Sequence, residues 1–243
     1  MPTDQPASPT VPARLLVIDD ESQIRRFLEI SLRAQGYLVM EASNAEEGLA
    51  LLATHGADAV ILDIGLPDRD GHYVLRAIRE WSRIPILMLS VRANEEEKVK
   101  ALDAGANDYV TKPFGVQELM ARIRLLLRTA HANATPQSSI FNDGHLLIDL
   151  SQRRVELDGH SLALSRKEYA LLAYLVRHAG RLITQTQLLN ELWGPTHEED
   201  THYLRILVGK LRQKLADHAA APRYIITEPG VGLRFIGTST STP

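Results

Sequence analysis

The chain has 243 residues, 44% of them hydrophobic and 23% charged, with a formal net charge of −3, which is enough for two ordinary domains with their own cores. It has no cysteine, which excludes disulfides, a thiolate nucleophile and a cysteine-ligated zinc site. Its apolar runs stop well short of the roughly 18 residues of a transmembrane helix, and residues 1–13 lack a secretion-signal pattern, so we expect a cytoplasmic protein without membrane contact.

Up to residue 128, apolar runs alternate with amphipathic segments. Strands are predicted at 15–19, 37–42, 59–63, 85–90 and 108–111. Helices are predicted at 21–35, 44–55, 71–82, 94–104 and 115–128. This alternation predicts a doubly wound α/β domain, with a five-stranded parallel sheet covered by helices on both faces. Strands buried on both faces need not alternate apolar and polar residues, which explains the unbroken run at 59–62.

A short polar segment separates this domain from a second one. Residues 129–139, TAHANATPQSS, are small and polar and contain Pro136, which predicts a linker. Short strands follow, then helices at 166–178, 184–193 and 200–216, and finally a hairpin around Pro229 and Gly230. This order predicts a winged helix-turn-helix α+β domain. We therefore divide the chain into a disordered extension at 1–13, an α/β domain at 14–128, the linker, a winged helix at 140–237 and a disordered tail at 238–243.

Chemically active side chains follow the strands of the first domain. Asp19 and Asp20 follow the first strand, Asp63 ends the third, Ser90 ends the fourth and Lys112 follows the fifth. Ligands of open parallel sheets bind beyond the carboxyl ends of the strands. Carboxylates that meet there either take up a proton or recruit a hard cation such as Mg²⁺. A carboxylate beside Mg²⁺ and a lysine is suited to accept a phosphoryl group, because that transfer needs charge neutralisation and alignment.

Each of these residues also has an ordinary structural interpretation. Asp19, Asp20 and Ser22 could cap the following helix, Lys112 and Pro113 could form a turn, and Ser90 could be a loop hydroxyl. Their occurrence together, at four separate strand ends and in this order, is what favours a phosphoryl-accepting site.

The motifs LLVIDDE, LDIGLPDRDG, MLS, NDY and KPF resemble those of two-component receiver domains over residues 14–128. The resemblance implies the CheY-like version of the fold, a sensor histidine kinase as phosphate donor, and a protein that is not an enzyme, although it can autodephosphorylate. It implies the phosphoacceptor Asp63, Mg²⁺ ligands from Asp19, Asp20, Asp63 and the backbone carbonyl of Gly65, a phosphoryl contact from Lys112, and the switch residues Ser90 and Tyr109.

The segment 200–216 predicts a helix with two different faces. Its apolar stripe, expected to face the core, consists of Leu204, Leu207, Val208, Leu211 and Leu215. The other side combines cations with an apolar residue and a glycine, which suits a helix that lies in the major groove of DNA. Candidate DNA contacts are His202, Arg205, Ile206, Gly209, Lys210 and Arg212. The alternative is an ordinary basic helix with a solvated polar face, since the region after residue 140 is close to neutral.

The motifs SRKEYALLAYLVRHAG, LITQTQLLNELWG, HYLRILVGKLRQKL and ITEPGVGLRF resemble the OmpR/PhoB winged-helix family across residues 140–237. Within it, WGP, HYLRI and LRQKL are most similar to regulators of potassium-uptake operons. The resemblance implies double-stranded promoter DNA and RNA polymerase as partners, and a homodimer that forms through phosphorylated receivers.

In that family the receivers pair through their fourth and fifth helices, with three ion pairs between the subunits. The matching positions are Lys98, Val99, Leu102, Asp108, Glu118, Ala121 and Arg122. Lys98 and Glu118 reproduce one ion pair, whereas Asn107 and Thr129 replace the expected partners of Arg122 and Asp108. Val91 beside the switch hydroxyl, and Pro229 at the tip of the wing, are further departures from the family pattern.

These features predict a DNA-binding response regulator that controls a potassium-uptake operon. Three alternatives stay open: a regulator of another set of genes, a constitutive DNA-binding dimer with a non-switching receiver, and a Mg²⁺-dependent phosphohydrolase. Such enzymes typically place a second aspartate two positions after the nucleophile, and Gly65 at that position counts against the last alternative.

Overall fold

Five strands of the first half lie in one parallel sheet. The computed structural model describes residues 12–91, 94–134, 139–195 and 201–239. The strands are β1 (Arg14–Ile18), β2 (Leu38–Ala42), β3 (Ala59–Asp63), β4 (Ile86–Ser90) and β5 (Asp108–Thr111), in the order β2-β1-β3-β4-β5. Both β3 and β4 are buried at every position, as strands covered on both faces should be. The predicted fold class is confirmed.

Helices connect these strands, and the polar residue before each of three helices determines where it begins. The helices are α1 (Ser22–Arg33), α2 (Ala45–His55), α3 (Gly71–Trp81), α4 (Glu95–Asp103) and α5 (Val116–Ala134). Asn44, Asp70 and Asn94 each accept a hydrogen bond from a backbone N–H in the first turn of the helix that follows. Such N-caps satisfy amide groups that have no partner within the helix.

The fifth helix is longer than predicted. It ends at Ala134, so its last six residues lie in the segment 129–139 that we predicted to be a linker. Three alanines in this stretch, at positions 130, 132 and 134, favour helix because alanine has the highest helix propensity. The rest of the predicted linker up to residue 138, including Pro136, lies outside the described residues, as do residues 1–11 and 240–243 of the predicted disordered ends.

The second half has the strands and helices of a winged helix. Its elements are β6 (Ile140–Asn142), β7 (Leu146–Asp149), β8 (Arg154–Leu157), β9 (His160–Ser161), α6 (Arg166–Arg177), β10 (Leu182–Thr184), α7 (Gln185–Trp193), α8 (Thr201–Lys214), β11 (Ile225–Glu228) and β12 (Gly232–Phe235). One antiparallel sheet has the order β6-β7-β8-β9, and the other has the order β10-β12-β11. The strands β6 and β10 were not predicted, because three residues are too few to show a period.

The contacts of the described chain divide it into two compact units, residues 1–89 and 90–243. The boundary falls at the end of β4 and not in the predicted linker. Segment 94–134, which contains α4, β5 and α5, therefore groups with the winged helix.

A buried carboxylate joins the end of α8 to the start of β11. Asp217 is 5% exposed, and its carboxylate accepts hydrogen bonds from the backbone N–H groups of Arg223 (2.7 Å), Tyr224 (3.2 Å) and Ile225 (3.0 Å). The preceding residue, Ala216, has a φ of +51°, so the chain turns sharply there. Asp217 thus satisfies three amides at the entrance to the terminal hairpin.

Replacing this carboxylate by an amide is expected to destabilise the winged helix. In Asp217→Asn, an NH₂ group faces backbone N–H donors, and buried donors without an acceptor cost about 1–3 kcal/mol. Urea denaturation should show a lower free energy of unfolding by that amount. Glu191→Gln, which removes the same charge from an exposed side chain of α7, should stay within ~0.5 kcal/mol of the wild type. Equal stability of the two variants would contradict this role of Asp217.

Candidate functional site

Two adjacent aspartates lie in the turn between β1 and α1. Asp19 is fully buried, whereas Asp20 is exposed. The backbone N–H of Asp19 continues the sheet by donating to the carbonyl of Ala42 (3.1 Å), and its carboxylate accepts a hydrogen bond from the N–H of Glu21 (2.9 Å). The turn therefore fixes one carboxylate inside the fold and leaves the other at the surface.

A third aspartate joins this pair at the end of β3. Asp63 is 5% exposed, and one of its carboxylate oxygens accepts a hydrogen bond from the N–H of Gly65 (2.7 Å). One carboxylate oxygen from each of Asp19, Asp20 and Asp63 lies within 4.8 Å of the others. The structure thus brings together the three carboxylates that the strand ends predicted. Three such oxygens, with no nitrogen or sulfur donor among them, form a ligand set that suits Mg²⁺.

Arg25, which was not predicted, holds the turn that carries the two adjacent aspartates. Its guanidinium nitrogen Nη1 donates to the backbone carbonyl oxygens of Asp19 (2.7 Å) and Asp20 (2.9 Å). Its Nε lies 3.7 Å from a carboxylate oxygen of Glu41. Burial, followed by the like charge of Glu29, raises the pKa of Glu41, whereas Arg25 acts in the opposite direction. The only sequence signal was a basic residue in the first turns of α1.

The loop that follows Asp63 is attached to α2 by Asp68, another residue that was not predicted. Its two carboxylate oxygens accept hydrogen bonds from the N–H groups of Ala45 (2.9 Å) and Glu46 (3.0 Å). The bond from Ala45 is the main reason why the pKa of Asp68 is lowered. Further along the loop, Gly71 lies so close to Asp63 that a Cβ atom would collide with the Asp63 carbonyl. The loop is therefore fixed at both ends.

The remaining predicted residues of this site follow β4 and β5. Ser90, the last residue of β4, is 3% exposed, and its carbonyl accepts a hydrogen bond from the N–H of Lys112 (2.7 Å). The peptide bond between Lys112 and Pro113 is cis. Tyr109, the predicted switch aromatic, is 4% exposed. The described contacts do not test the roles of Lys112, Ser90, Tyr109 and the Gly65 carbonyl, which stay predictions.

The helix α8 has the two faces that its sequence indicated. The stripe from Leu204 to Leu215 is buried. On the other side, five of the six candidate DNA contacts are exposed: His202, Arg205, Ile206, Gly209 and Lys210. A Cβ atom on Gly209 would meet nothing within 4 Å, so the packing of the protein itself does not require a glycine there. Tyr203, 59% exposed on the same side, was missed because the prediction weighted cations.

Arg212 differs from the other candidates. Its Nη2 atom donates to the carbonyl of Ile225 (2.7 Å) and to the hydroxyl of Thr227 (3.0 Å). The side chain thus links α8 to β11 in the described structure, and its predicted contact with DNA phosphate stays untested. At the turn between β11 and β12, Pro229 is exposed, whereas Arg234 on β12 is 5% exposed and lies inside the protein.

The predicted dimer residues make their described ion pairs within one chain. Glu118 pairs with Arg122 of the same helix (2.8 Å), and Lys98 lies 3.6 Å from Glu228. Arg122 also pairs with Asp108 of the same chain (3.1 Å), which does not test the pair between subunits that Asn107 is expected to break. Of the apolar positions, Leu102 is fully buried, Val99 is half-buried and Ala121 is exposed. A dimer through these residues stays a prediction.

Among the residues that the structure describes, none of the helices combines the length and the apolar content that spanning a bilayer requires.

Comparisons with known proteins match two parts of the chain to two different families. Residues 15–124 match the response regulator receiver domain family, and residues 159–235 match the family described as transcriptional regulatory protein, C terminal. The chain is 46% identical over 223 residues to the KDP operon transcriptional regulatory protein KdpE of Escherichia coli K12, which covers 91% of this chain and 98% of that protein. It is 43% identical over 221 residues to the transcriptional regulatory protein KdpE of Mycobacterium tuberculosis CDC 1551, with the same coverage of 91% and 98%.

Among solved structures, the response regulator DrrB, a Thermotoga maritima OmpR/PhoB homologue, is 29% identical. It covers 93% of this chain and 100% of its own, with a TM-score of 0.48.

Proposed function

The chain belongs to the two-component response regulators with an OmpR/PhoB-type DNA-binding domain, and we propose that phosphotransfer from a sensor histidine kinase to Asp63 switches it. The convergence of Asp19, Asp20 and Asp63 within 4.8 Å is the observation that supports this proposal most directly. Its kinase and its promoter DNA would be partners in the cytoplasm, where RNA polymerase also acts.

The three carboxylates, together with the carbonyl of Gly65, would hold Mg²⁺. The bound ion would neutralise charge on the carboxylates and on the incoming phosphoryl group. The hydrogen bond from Gly65 fixes one oxygen of Asp63 and so orients its carboxylate as the nucleophile. We propose that Lys112 contacts the phosphoryl oxygens. Ser90 and Tyr109 would be the switch residues that respond to the new negative charge. Loss of phosphate by autodephosphorylation would reset the protein.

Replacement of Asp63 tests the phosphotransfer. Asp63→Asn should take up no phosphate from acetyl phosphate and Mg²⁺, because an amide is not a nucleophile for phosphorus, and intact-mass measurement would report the result. Glu80→Gln, an exposed change of the same kind on α3, should be phosphorylated like the wild type. Undiminished phosphorylation of Asp63→Asn would contradict the assignment of Asp63 as the phosphoacceptor. Equal activation of promoters by Asp63→Asn and wild type would favour the constitutive dimer instead.

We infer that Arg25 positions the two adjacent aspartates. Its two hydrogen bonds go to backbone carbonyls, so its effect on the carboxylates is one of orientation. Its positive charge has the opposite effect, since a cation near the site repels Mg²⁺. Loss of Arg25 should therefore weaken Mg²⁺ binding if orientation dominates, and strengthen Mg²⁺ binding if charge repulsion dominates.

In Arg25→Ala, we expect the dissociation constant for Mg²⁺, measured calorimetrically, to rise about tenfold, as is common when supports of metal ligands are lost. Arg26→Ala is the matched control, because Arg26 is exposed and the variant loses the same charge one position away. The control should bind Mg²⁺ as tightly as the wild type or slightly more tightly. If Arg25→Ala also binds Mg²⁺ more tightly than the wild type, Arg25 acts through its charge and does not position the aspartates.

The exposed side of α8 is the proposed DNA-reading surface. Arg205 and Lys210 provide cations, and Ile206, 44% exposed, provides an apolar group for a thymine methyl. The open space at Gly209 allows the backbone of the helix to approach a base pair closely.

Single substitutions on α8 should separate base reading from phosphate contact. On a duplex selected by the wild-type protein from a random library, Arg205→Ala should weaken binding by about 1–3 kcal/mol but affect a scrambled duplex much less. Arg177→Ala removes a cation from the exposed end of α6 and should have a smaller, sequence-independent effect. Fluorescence anisotropy at several salt concentrations would measure both. An equal loss on both duplexes in Arg205→Ala would show a phosphate contact.

We further propose a potassium-uptake operon as the target, because two relatives at 43–46% identity carry the name KdpE. Genome-wide mapping of the promoters that the protein binds distinguishes this target from another regulon.

A further inference from the structure

The side chain of Arg212 lies between α8 and the terminal hairpin. Only 15% of it is exposed, although Gly209 and Gln213 on the same helix are exposed. Its Nη2 atom donates two hydrogen bonds to β11, one to the carbonyl of Ile225 (2.7 Å) and one to the hydroxyl of Thr227 (3.0 Å). The guanidinium therefore faces the hairpin and not the exposed side of α8 that is proposed to read DNA.

Arg212 and Asp217 together satisfy the outer backbone groups of an edge strand. Among the described strands, β12 is the one that pairs with β11, which ends the order β10-β12-β11. At Ile225, the N–H donates to the carboxylate of Asp217 (3.0 Å), and the carbonyl accepts a hydrogen bond from Arg212. Backbone groups at the edge of a sheet need partners outside the sheet. The outer side of β11 is thus attached to α8 and to the residue that follows its end.

The same three residues form a closed arrangement of charge and hydrogen bonds. The Nε atom of Arg212 lies 3.9 Å from the Asp217 oxygen that accepts the N–H of Ile225. The side chain of Asp217 is fully buried, and a buried carboxylate is stable only with such partners. Movement of the guanidinium toward a DNA phosphate would remove a partner from this carboxylate and from the Ile225 carbonyl. The arrangement therefore favours an internal role for Arg212.

The other cation in the last turn of α8 is also held by the protein. Lys214 donates to a carboxylate oxygen of Glu168 in the first turn of α6 (2.7 Å) and to the carbonyl of Ala163 (2.8 Å). Arg205 and Lys210, in contrast, are exposed. The cations of α8 thus fall into two groups. Those before the last turn are accessible to DNA, whereas those in the last turn attach the helix to α6 and to β11.

We propose that Arg212 is a positioning residue for DNA recognition, which fixes β11 against α8 and makes no phosphate contact of its own. The proposal rests on the proposed function for the DNA-reading side of α8. The pairing of β11 with β12 extends over all four residues of each strand, so the position of β11 determines where the turn at Pro229 and Gly230 lies relative to α8. Helix and hairpin therefore meet double-stranded DNA as one unit.

The hairpin carries no cation, and this makes the two roles of Arg212 separable by experiment. Residues 225–233 contain neither lysine nor arginine, so displacement of the hairpin breaks no cation–phosphate pair made by these residues. Loss of a phosphate contact from Arg212 itself would reduce the number of counterions that are released on binding. The salt dependence of the dissociation constant reports this difference, because its logarithmic slope changes by about 0.9 for each phosphate contact.

Replacement of Arg212 by methionine, which keeps the apolar stem of the side chain, tests the proposal in the full-length protein. On a duplex that the wild-type protein selects from a random library, Arg212→Met should bind about tenfold more weakly, a size typical of residues in direct contact, and its salt slope should be unchanged. Arg177→Met, the loss of an exposed cation from α6, should weaken binding less. Fluorescence anisotropy at several salt concentrations measures both variants.

A double-mutant cycle tests whether the hydrogen bond between Arg212 and Thr227 is responsible. Thr227→Val replaces the hydroxyl by a methyl group, and we expect it to weaken binding to the selected duplex by about threefold. The double variant should bind like Arg212→Met alone, because the bond is already lost in that variant. The urea midpoint of the double variant, measured without DNA, should likewise equal that of Arg212→Met.

The other outcomes overturn the proposal. A salt slope lowered by about 0.9 in Arg212→Met would show that Arg212 contacts phosphate. Additive losses in the double variant would show that the two residues act independently. If circular dichroism shows that Arg212→Met does not fold, Thr227→Val decides, since wild-type affinity of this variant overturns the proposal and weaker binding with an unchanged slope supports it.

Failure of the proposed function has a different signature. Equal affinity of the wild-type protein for the selected duplex and for a scrambled one would contradict the reading of DNA by α8. The link between Arg212 and Thr227 would not be affected by that result, because the urea midpoints test it without DNA.

Discussion

The crowding of three carboxylates at one edge of the parallel sheet is the constraint on which the receiver depends. Two unit charges 4 Å apart repel by roughly 4 kcal/mol at a protein surface, and the oxygens of Asp19, Asp20 and Asp63 lie within 4.8 Å of one another. Backbone amides and Arg25 hold these groups in place. A bound cation would relieve this repulsion, which makes the site suitable for reversible binding and for charge-dependent chemistry.

The same side-chain type serves a different purpose at Asp108. There the charge is neutralised from within the chain, by Arg122 and Arg234, so no external ion is needed. A carboxylate with internal partners responds to the geometry of its neighbours and not to the concentration of a ligand. The protein thus contains both a cluster of three carboxylates at strand ends and a buried aspartate whose charge is neutralised by two arginines.

Much of this organisation could be predicted from the sequence, because it follows from periodicity. Parallel strands end at a common edge, so the strand-end aspartates could be placed together, and the apolar stripe of α8 indicated which side is exposed. Side chains that bind backbone carbonyls leave no such pattern, and Arg25 was missed for that reason. The Arg234–Asp108 pair joins residues 126 positions apart, which no local signal reveals. The helical end of α5 was not predicted from the sequence, because its alanines lie among polar residues.

The position of Arg234 in the last strand of the winged helix has a consequence for biosynthesis. The α4–β5–α5 surface is translated long before Arg234, and at ordinary elongation rates of about 5–20 residues per second the interval is on the order of ten seconds. During that time Arg122 is the one of the two arginine partners of Asp108 that already exists, so the final ion pair with Arg234 can form only when the last strand has been synthesised.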